Sequence, residues 1–240
     1  SENERRSGSL RTKAFTMKNV SIIIPVFNEE KNIVSVLSGM LGLFPDSELI
    51  VVDDGSTDRT PALLSEYSGK VTALRLPSNS GKGCAVRKGL EKVSRRWVAI
   101  QDADREYDPE DLKRILVMVE EKEYPAVYGS RFLTKNPVIY PAYYLGNYFI
   151  SYFISFLYRA RITDSYTAYK VVETGILRSL GLQARRFELE AEITCKLLKK
   201  GYPIREIPIG YRPRTIGEGK KIKWTDALEG FATAARIYFQ

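Results

Sequence analysis

Four short apolar runs recur at intervals along the first half of the chain. Each run is bounded by polar or glycine-containing segments, and three of the four are rich in β-branched residues, as is typical of buried strands. Between the runs, apolar residues return every three or four positions, for example at Ile33, Val36 and Met40, which indicates amphipathic helices. The predicted strands are Val20–Val26, Glu48–Val52, Val71–Leu76 and Trp97–Ile100.

Strands that alternate with helices predict an α/β fold with a mostly parallel central sheet flanked by helices. In such sheets ligands bind beyond the carboxyl ends of the strands. Polar clusters follow or lie between the predicted strands, so we expect them to converge on one edge of the sheet. These clusters contain Asn28, Asp53, Gly81 and Asp102.

Short polar residues predict where three of the helices begin. Asn28 is expected to cap the first helix, and Ser56 or Thr57 the second, because such side chains accept hydrogen bonds from free backbone amides. Asp108 followed by Pro109 is a typical start for the helix after the fourth strand.

The second half of the chain has a different pattern. Between Lys135 and Arg159 lie 23 uncharged residues, a length that could cross a bilayer, but six of them are tyrosines. We therefore predict an aromatic helix over about 141–159 that either rests at a membrane interface or is buried against the protein. Beyond it we predict an amphipathic helix over Phe187–Lys200, a strand over Ile204–Tyr211, a basic loop at 212–223 and a final helix from Trp224.

Composition and charge narrow the classes of function. Lys and Arg outnumber Asp and Glu by eight in 240 residues, which favours anionic partners, although no nucleic-acid-binding motif is present. The absence of histidine excludes histidine acid–base chemistry and histidine-ligated zinc. Cys84 and Cys195 are expected to be reduced thiols in a cytosolic compartment. Residues 1–17, polar and basic without the apolar centre of a signal peptide, are predicted to be a mobile tail before a single domain at 18–240.

The fourth predicted strand ends in two carboxylates, Asp102 and Asp104, separated by one small residue. Residues i and i+2 share a face where the backbone stays extended. Two carboxylates that crowd together repel each other unless a cation lies between them. Mg²⁺ and Mn²⁺ take oxygen ligands and often bridge to substrate phosphates. The pair therefore predicts a Mg²⁺ or Mn²⁺ site, with a simple acidic turn as the alternative.

Several motifs together resemble the family 2 glycosyltransferases with the GT-A fold. Those in the first half are Ile24–Glu29, Val52–Asp58, Asn79–Gly83 and Asp102–Asp104. Those in the second half look like the polyprenyl-phosphate branch that includes dolichyl-phosphate mannose synthase. They are Gly129–Arg131, Asp164–Tyr169, Phe187–Glu190 and Gly217–Ile222. The resemblance implies a nucleotide-sugar-binding half at 18–130 and an acceptor-binding half at 131–240, with amphipathic or interfacial helices near the C-terminus.

Carried onto this sequence, the resemblance implies a role for each matching residue. Pro25, Phe27 and Glu29 would line the nucleotide pocket. Asp53 would bond the base, Lys82 and Asp102 would lie near the nucleotide, and Asp102 and Asp104 would hold the metal. The catalytic residues would be Asp104, Arg131, Arg214 and Glu188. The acceptor would be bound by Arg131, Asp164, Arg212, Arg214 and Lys220.

The implied activity is metal-dependent, inverting transfer of a sugar from a nucleotide donor to a polyprenyl or dolichyl phosphate, with GDP-mannose as the favoured donor. A lipid phosphate is already an anionic nucleophile, whereas a hydroxyl acceptor would need a base, for which Glu188 or Asp164 is the candidate. The alternatives are a family 2 enzyme that uses a UDP-sugar, with a lipid-phosphate or a saccharide hydroxyl acceptor, and a catalytically silent nucleotide-sugar-binding or membrane-binding module.

The chain departs from the branch in two places. Many members carry a basic residue where this chain has Tyr144, and many carry transmembrane helices after the catalytic domain. The present sequence does not include such helices, so two expectations stay open: a cytoplasmic protein that contacts the cytoplasmic membrane face peripherally, through the aromatic helix and its positive charge, or a piece of a longer protein that carries these helices.

Overall fold

A computed structural model describes residues 17–215 and 224–240. After a short 3₁₀ turn at Met17–Asn19, the described residues form one seven-stranded sheet flanked by helices. The strands are β1 (Val20–Val26), β2 (Glu48–Asp53), β3 (Thr72–Arg75), β4 (Trp97–Ile100), β5 (Ala126–Ser130), β6 (Lys170–Glu173) and β7 (Ile204–Pro208). The helices are α1 (Ile33–Leu43), α2 (Thr60–Ser65), α3 (Lys82–Leu90), α4 (Pro109–Lys122), α5 (Pro141–Tyr158), α6 (Thr174–Ser179), α7 (Leu189–Lys199) and α8 (Trp224–Phe239).

The strands lie in the order β3-β2-β1-β4-β6-β5-β7. Strand β6 runs antiparallel to its neighbours β4 and β5, and the other described strand pairs are parallel. The predicted α/β class with a mostly parallel sheet is confirmed. Because β1, β2 and β4 are parallel neighbours, the loops that follow them emerge at the same edge.

Helices cover both faces of the sheet. Along β1, Ile22 and Ile24 pack on the side of α1 and α4, whereas Ile23 packs on the side of α3, α6 and α7. This alternation follows from side chains of a strand pointing to opposite faces. Burial on both faces explains why β1, β2 and β4 read as largely continuous apolar runs rather than as alternating patterns.

Helix α5 packs against the rest of the protein through part of its surface. Ile150 and Ile154 pack against Cys195 of α7 and Ile237 of α8. The remaining large side chains of α5 include several that are exposed, and Phe156 is 73% exposed. Within residues 17–215 and 224–240, no helix combines the length and the apolar character that a membrane crossing requires.

Two of the three predicted helix caps are wrong. Helix α1 begins at Ile33, and Asn28, whose φ is 49°, instead accepts a 2.8 Å hydrogen bond from the backbone amide of Thr57. The Ser56 hydroxyl accepts a 2.9 Å bond from the Asn28 amide and does not cap α2. These polar side chains therefore tie the loops after β1 and β2 together.

The Asp108 cap is confirmed, because its carboxylate accepts a 3.0 Å hydrogen bond from the Glu110 amide. The strand predicted over Ile204–Tyr211 ends earlier, at Pro208. The predicted pattern lacked β5 and β6, which are only five and four residues long. The basic loop predicted at 212–223 lies largely outside the described residues, as does most of the predicted N-terminal tail.

Candidate active site

A cleft of about 510 Å³ lies at the carboxyl edge of β1, β2 and β4. Pro25, Phe27 and Glu29 line it from the end of β1 and the loop that follows. The start of α3 contributes Lys82, and the loop after β4 contributes Asp102 and Asp104. From the second half of the chain come Arg131, Tyr166, Arg186, Phe187, Glu190, Tyr211 and Arg214. The structure thus brings the predicted nucleotide-binding and metal-binding residues together, with the exception of Asp53.

The chain turns after β4, so Asp102 and Asp104 do not continue the extended strand as the i, i+2 argument assumed. Each carboxylate is held by a different cation. Lys82 contacts Asp102, and Arg214 contacts Asp104. The expected repulsion between the two carboxylates is therefore offset by side chains from other elements.

Lys82 joins Asp102 to a buried ion-pair network. Its ammonium lies 2.6 Å from Asp102 Oδ1 and 2.9 Å from Glu190 Oε1. Burial would lower the pKa of Lys82, but the carboxylates of Asp102 and Glu190 outweigh burial and raise it. The other oxygen of Glu190 contacts the ammonium of Lys170, which is buried beneath the cleft.

Arg214 crosses the cleft from the segment after β7. Its guanidinium lies 2.8 Å from Asp104 and 3.1 Å from Glu29, and its backbone amide donates a 2.7 Å bond to Glu106. Burial raises the pKa of Asp104 to about 7, and the negative charges of Asp102 and Glu106 act in the same direction against the opposing charge of Arg214. Arg214 therefore supplies the positive charge that faces the second carboxylate of the Asp-x-Asp pair.

Asp54, rather than the predicted Asp53, lines the cleft. The Asp54 carboxylate accepts 2.8 Å hydrogen bonds from the amides of Ser80 and Gly81. Asp53 is buried beside it, where it accepts a bond from the Ser56 amide and lies 3.4 Å from Arg75 Nε. Here Asp53 stabilises the turn after β2, and its predicted bond to a base stays a prediction.

Gly81, just before α3, and Gly83, in its first turn, allow a close approach to the loop before α7. Gly81 has a φ of 99°, and a β-carbon there or at Gly83 would meet the backbone carbonyls of residues 184 and 185. The backbone amide of Cys84 donates to the Arg185 carbonyl. The loop before α7 is thereby held against the cleft, which brings Glu190 near Lys82.

Arg131 and Asp164 form a buried, bidentate pair. Nε and Nη2 of Arg131 donate to Asp164 at 2.7 and 2.8 Å. The Tyr211 ring lies 5.1 Å from the guanidinium, a distance that permits a cation–π contact. Burial would lower the pKa of Arg131, but Asp164 raises it well above its ordinary value. Arg131 lines the cleft, whereas Asp164 has no exposed surface and positions it.

Besides Asp53 and Asp164, two further predicted site residues in the described part of the chain, Glu188 and Arg212, do not line the cleft. Glu188 accepts hydrogen bonds from the amides of Arg185 and Arg186 and lies in a neighbouring groove. Arg212 is exposed. Lys220 lies outside the described residues. The structure adds Asp54, Glu106, Lys170, Glu190 and Tyr211 to the candidate site. Of these, Glu190 was present in the quoted Phe187–Glu190 motif, but helical spacing alone did not show which glutamate faces inward.

The donor set fits a divalent ion in part. Asp102 and Asp104 offer the carboxylate oxygens that Mg²⁺ and Mn²⁺ prefer. No group of three or more acidic or thiol ligands arranged for a metal occurs in the described part of the chain. The two aspartates would therefore hold a metal together with oxygens from a phosphate ligand.

Residues 21–171 match the model of glycosyl transferase family 2. The chain therefore belongs to this family and is a glycosyltransferase, which confirms the family and the enzyme class that the motifs predicted. The structure of glucosyl-3-phosphoglycerate synthase from Mycobacterium tuberculosis in complex with uridine-diphosphate superimposes with a TM-score of 0.72 at 18% identity, covering 92% of this chain and 80% of that one. This likeness confirms the GT-A type of fold.

Among the relatives, UDP-N-acetylglucosamine–dolichyl-phosphate N-acetylglucosaminyltransferase of Methanococcus voltae is 30% identical and covers 92% of this chain and 95% of its own length. Polyprenol monophosphomannose synthase of Mycolicibacterium smegmatis is 26% identical, with 91% and 87% covered. Low-salt glycan biosynthesis hexosyltransferase Agl6 of Haloferax volcanii is 28% identical over 81% of this chain. The chain spans about half the length of that last relative, since the match covers 48% of it.

Proposed function

We propose that this glycosyltransferase is metal-dependent and moves a sugar from a nucleotide-diphosphate donor to a polyprenyl phosphate, with inversion at the sugar carbon. The observation that carries the proposal is the cleft in which Asp102 and Asp104 meet Lys82 and Arg214. Carboxylates suit a divalent ion, and ammonium and guanidinium groups suit a diphosphate. The relatives whose names specify polyprenyl or dolichyl phosphate support this acceptor class.

In this proposal the donor lies along the edge of β1, β2 and β4. Pro25 and Phe27 offer an apolar wall for the base, and Glu29 and Asp54 lie beside it. GDP-mannose is the favoured donor by the resemblance of the motifs. A UDP-sugar is the alternative, and one relative is named for UDP-N-acetylglucosamine.

The transfer is a single displacement. A phosphate oxygen of the acceptor forms a bond to the sugar carbon while the bond from that carbon to the diphosphate oxygen breaks. A bound divalent ion would neutralise the charge that develops on the departing diphosphate. Lys82 and Arg214 contribute positive charge from the protein in the same region. An anionic acceptor needs no histidine base, in agreement with the composition.

The acceptor would approach from the side of Arg131. Two of its donor atoms are taken by Asp164, which fixes the guanidinium and leaves Nη1 for a phosphate. Beside it, Phe132, Tyr144 and Tyr211 line a smaller aromatic groove that runs toward α5. We propose that α5 contacts the cytoplasmic face of a membrane peripherally, so that a lipid phosphate reaches Arg131 without leaving the bilayer surface. The exposed Arg212, between two residues that line this groove, would add positive charge to this side. Lys220 lies outside the described residues, and its role in acceptor binding stays a prediction.

Calorimetry with GDP, UDP, GDP-mannose and UDP-glucose, each with and without Mn²⁺, tests the donor site. We expect Mn²⁺-dependent binding of one base family. Purified enzyme would then be given that donor with a polyprenyl phosphate or a saccharide acceptor, and the product identified by mass spectrometry. Absence of binding by every nucleotide would favour the catalytically silent module, and transfer only to a saccharide would contradict the lipid-phosphate acceptor.

A further inference from the structure

The network beneath the cleft joins four charged side chains from four parts of the fold. Lys82 begins α3, Asp102 follows β4, Lys170 begins β6 and Glu190 lies in the first turn of α7. The two carboxylates and two ammonium groups balance in formal charge. Because an isolated buried charge is strongly destabilising, each member requires the others.

Lys82 and Lys170 differ in their access to a ligand. The Lys82 side chain is 10% exposed and lines the cleft, whereas the side chain of Lys170 has no exposed surface. Lys170 is fixed from below, since its ammonium donates a 2.5 Å bond to the Thr167 carbonyl and lies 5.0 Å from the centre of the Tyr128 ring. Lys170 therefore does not line the cleft itself, and its ion pair with Glu190 connects it to Lys82.

Glu190 is held between the two lysines. One carboxylate oxygen contacts Lys170, and the other lies 2.9 Å from the Lys82 ammonium. Burial alone would raise the pKa of Glu190, but the two lysines lower it, so the carboxylate stays charged. Since each oxygen lies within ion-pair distance of a different lysine, rotation of this carboxylate would break at least one ion pair. Glu190 thus offers Lys82 a fixed partner.

The other partner of Lys82 has a second role in the proposed function. Asp102 would turn part of its carboxylate toward a divalent ion when the donor binds. Glu190 has no such role, so it remains as the anchor of Lys82 in the ligand-bound enzyme. We propose that Glu190, supported by Lys170, is a positioning residue that holds the Lys82 ammonium at the sheet edge for the diphosphate of the donor. This inference rests on the proposed function.

A double-mutant cycle on nucleotide binding tests the inference. Kd would be measured by calorimetry in Mn²⁺ for the nucleoside diphosphate that the wild type binds and for the corresponding nucleoside. We expect Lys82→Met to weaken diphosphate binding about tenfold, the size expected for one charge-assisted contact. Glu190→Gln should weaken it by several fold, roughly up to the same tenfold, and should add nothing in the Lys82→Met background. Nucleoside binding should stay the same in all three variants.

Glu91→Gln is the matched control, because it removes the carboxylate of an exposed Lys–Glu pair at the C-terminal end of α3. It should leave both Kd values unchanged. If Glu190→Gln does not fold, the Lys170→Met/Glu190→Gln variant replaces it, since removal of both partners leaves no unpaired buried charge from that pair.

Three results would overturn the inference: unchanged or tighter diphosphate binding by Glu190→Gln, an equal loss of nucleoside binding, or an additional loss in the Lys82→Met background. Any of these, with normal wild-type binding, would leave the proposed function intact. If the wild type bound no nucleoside diphosphate, the proposed function would fail, and the inference with it.

Discussion

The cleft at the sheet edge is lined by paired charges, whereas the outer face of α5 is uncharged. In the cleft, Lys82 and Arg214 lie within 3.0 Å of Asp102 and Asp104, respectively. The outer face of α5 carries no charged residue and exposes large side chains instead. The exposed residues include Tyr144, Leu145, Tyr148, Phe149, Tyr152 and Phe156.

This difference shows how each surface would select its ligand. In the buried cleft each charged side chain already has a partner of opposite charge. When a ligand binds, a phosphate or a metal ion can replace that partner with little change in the net charge of the cleft. A face of tyrosine, phenylalanine and leucine has no charge to exchange, so it is suited to apolar material with a polar boundary. The charged cleft and the surface proposed to contact lipid therefore lie on separate elements.

The charged side of the comparison depends most on Asp104. Asp104→Asn should lower transferase activity on the order of 1,000-fold, because one carboxylate of the proposed metal site is lost. Initial rates with saturating donor and Mn²⁺ measure this effect. Asp46→Asn, at an exposed position after α1, is the control and should retain wild-type rates. A wild-type rate in Asp104→Asn would contradict the metal assignment.

The Arg131–Asp164 pair tests whether burial makes these charges essential to the fold. Asp164→Asn should reduce the free energy of unfolding by about 3 kcal/mol, since it leaves a buried guanidinium without its counter-ion. Urea denaturation gives this value. Glu123→Gln breaks the exposed Arg96–Glu123 pair and should change stability by less than about 0.5 kcal/mol. Equal effects of the two substitutions would refute the role of burial.

The apolar side of the comparison is tested at Phe156, which is 73% exposed. Phe156→Ser should weaken binding to vesicles of phosphatidylcholine and phosphatidylglycerol about tenfold, because a partly inserted aromatic ring contributes about 1.5 kcal/mol. Co-sedimentation measures binding, and the melting temperature should not change. Val34→Ser, at an exposed apolar position on α1, should have no effect. If both substitutions behave alike, the contact does not involve the α5 face specifically.

The smallest expected effect is at Asp108, whose charge belongs neither to the cleft nor to the outer face of α5. Asp108→Ala removes the carboxylate that caps α4 and should lower stability by about 1 kcal/mol. Thermal unfolding measures this loss, and nucleotide binding should remain at the wild-type value. Asp108→Asn is the control that keeps a capping oxygen and should be nearly neutral. A large loss of binding in Asp108→Ala would connect α4 to the cleft more closely than the structure indicates.

The repeating part of the fold could be predicted from local patterns. Strands β1, β2 and β4 are apolar because both of their faces are buried, and their loops must therefore emerge together at one edge. Strands β5 and β6 were missed for a physical reason. The order of the sheet places β6 between β4 and β5 although it comes after both in the chain. No local spacing contains that information.

The candidate site, too, could be predicted only where local sequence patterns determine it. Asp102, Asp104 and Lys82 could be predicted because each follows a strand or begins a helix at the shared edge. The choice of Glu190 over Glu188 for the cleft could not, because both lie at the start of the same amphipathic segment. It depends on the close approach of residues 184 and 185 to Gly81 and Gly83, which is a tertiary contact. Likewise, the geometry of the turn after β2 determines that Asp54, and not the predicted Asp53, lines the cleft.

The position of Arg214 in the chain has a consequence for synthesis. Arg214 lies 185 positions after Glu29 and 110 after Asp104, although it contacts both carboxylates. Because the N-terminal part of a chain leaves the ribosome first, the first half emerges with these carboxylates before their arginine exists. A nascent enzyme therefore carries an unbalanced acidic edge until the segment after β7 has been made, and only then can the cleft reach its final electrostatic state.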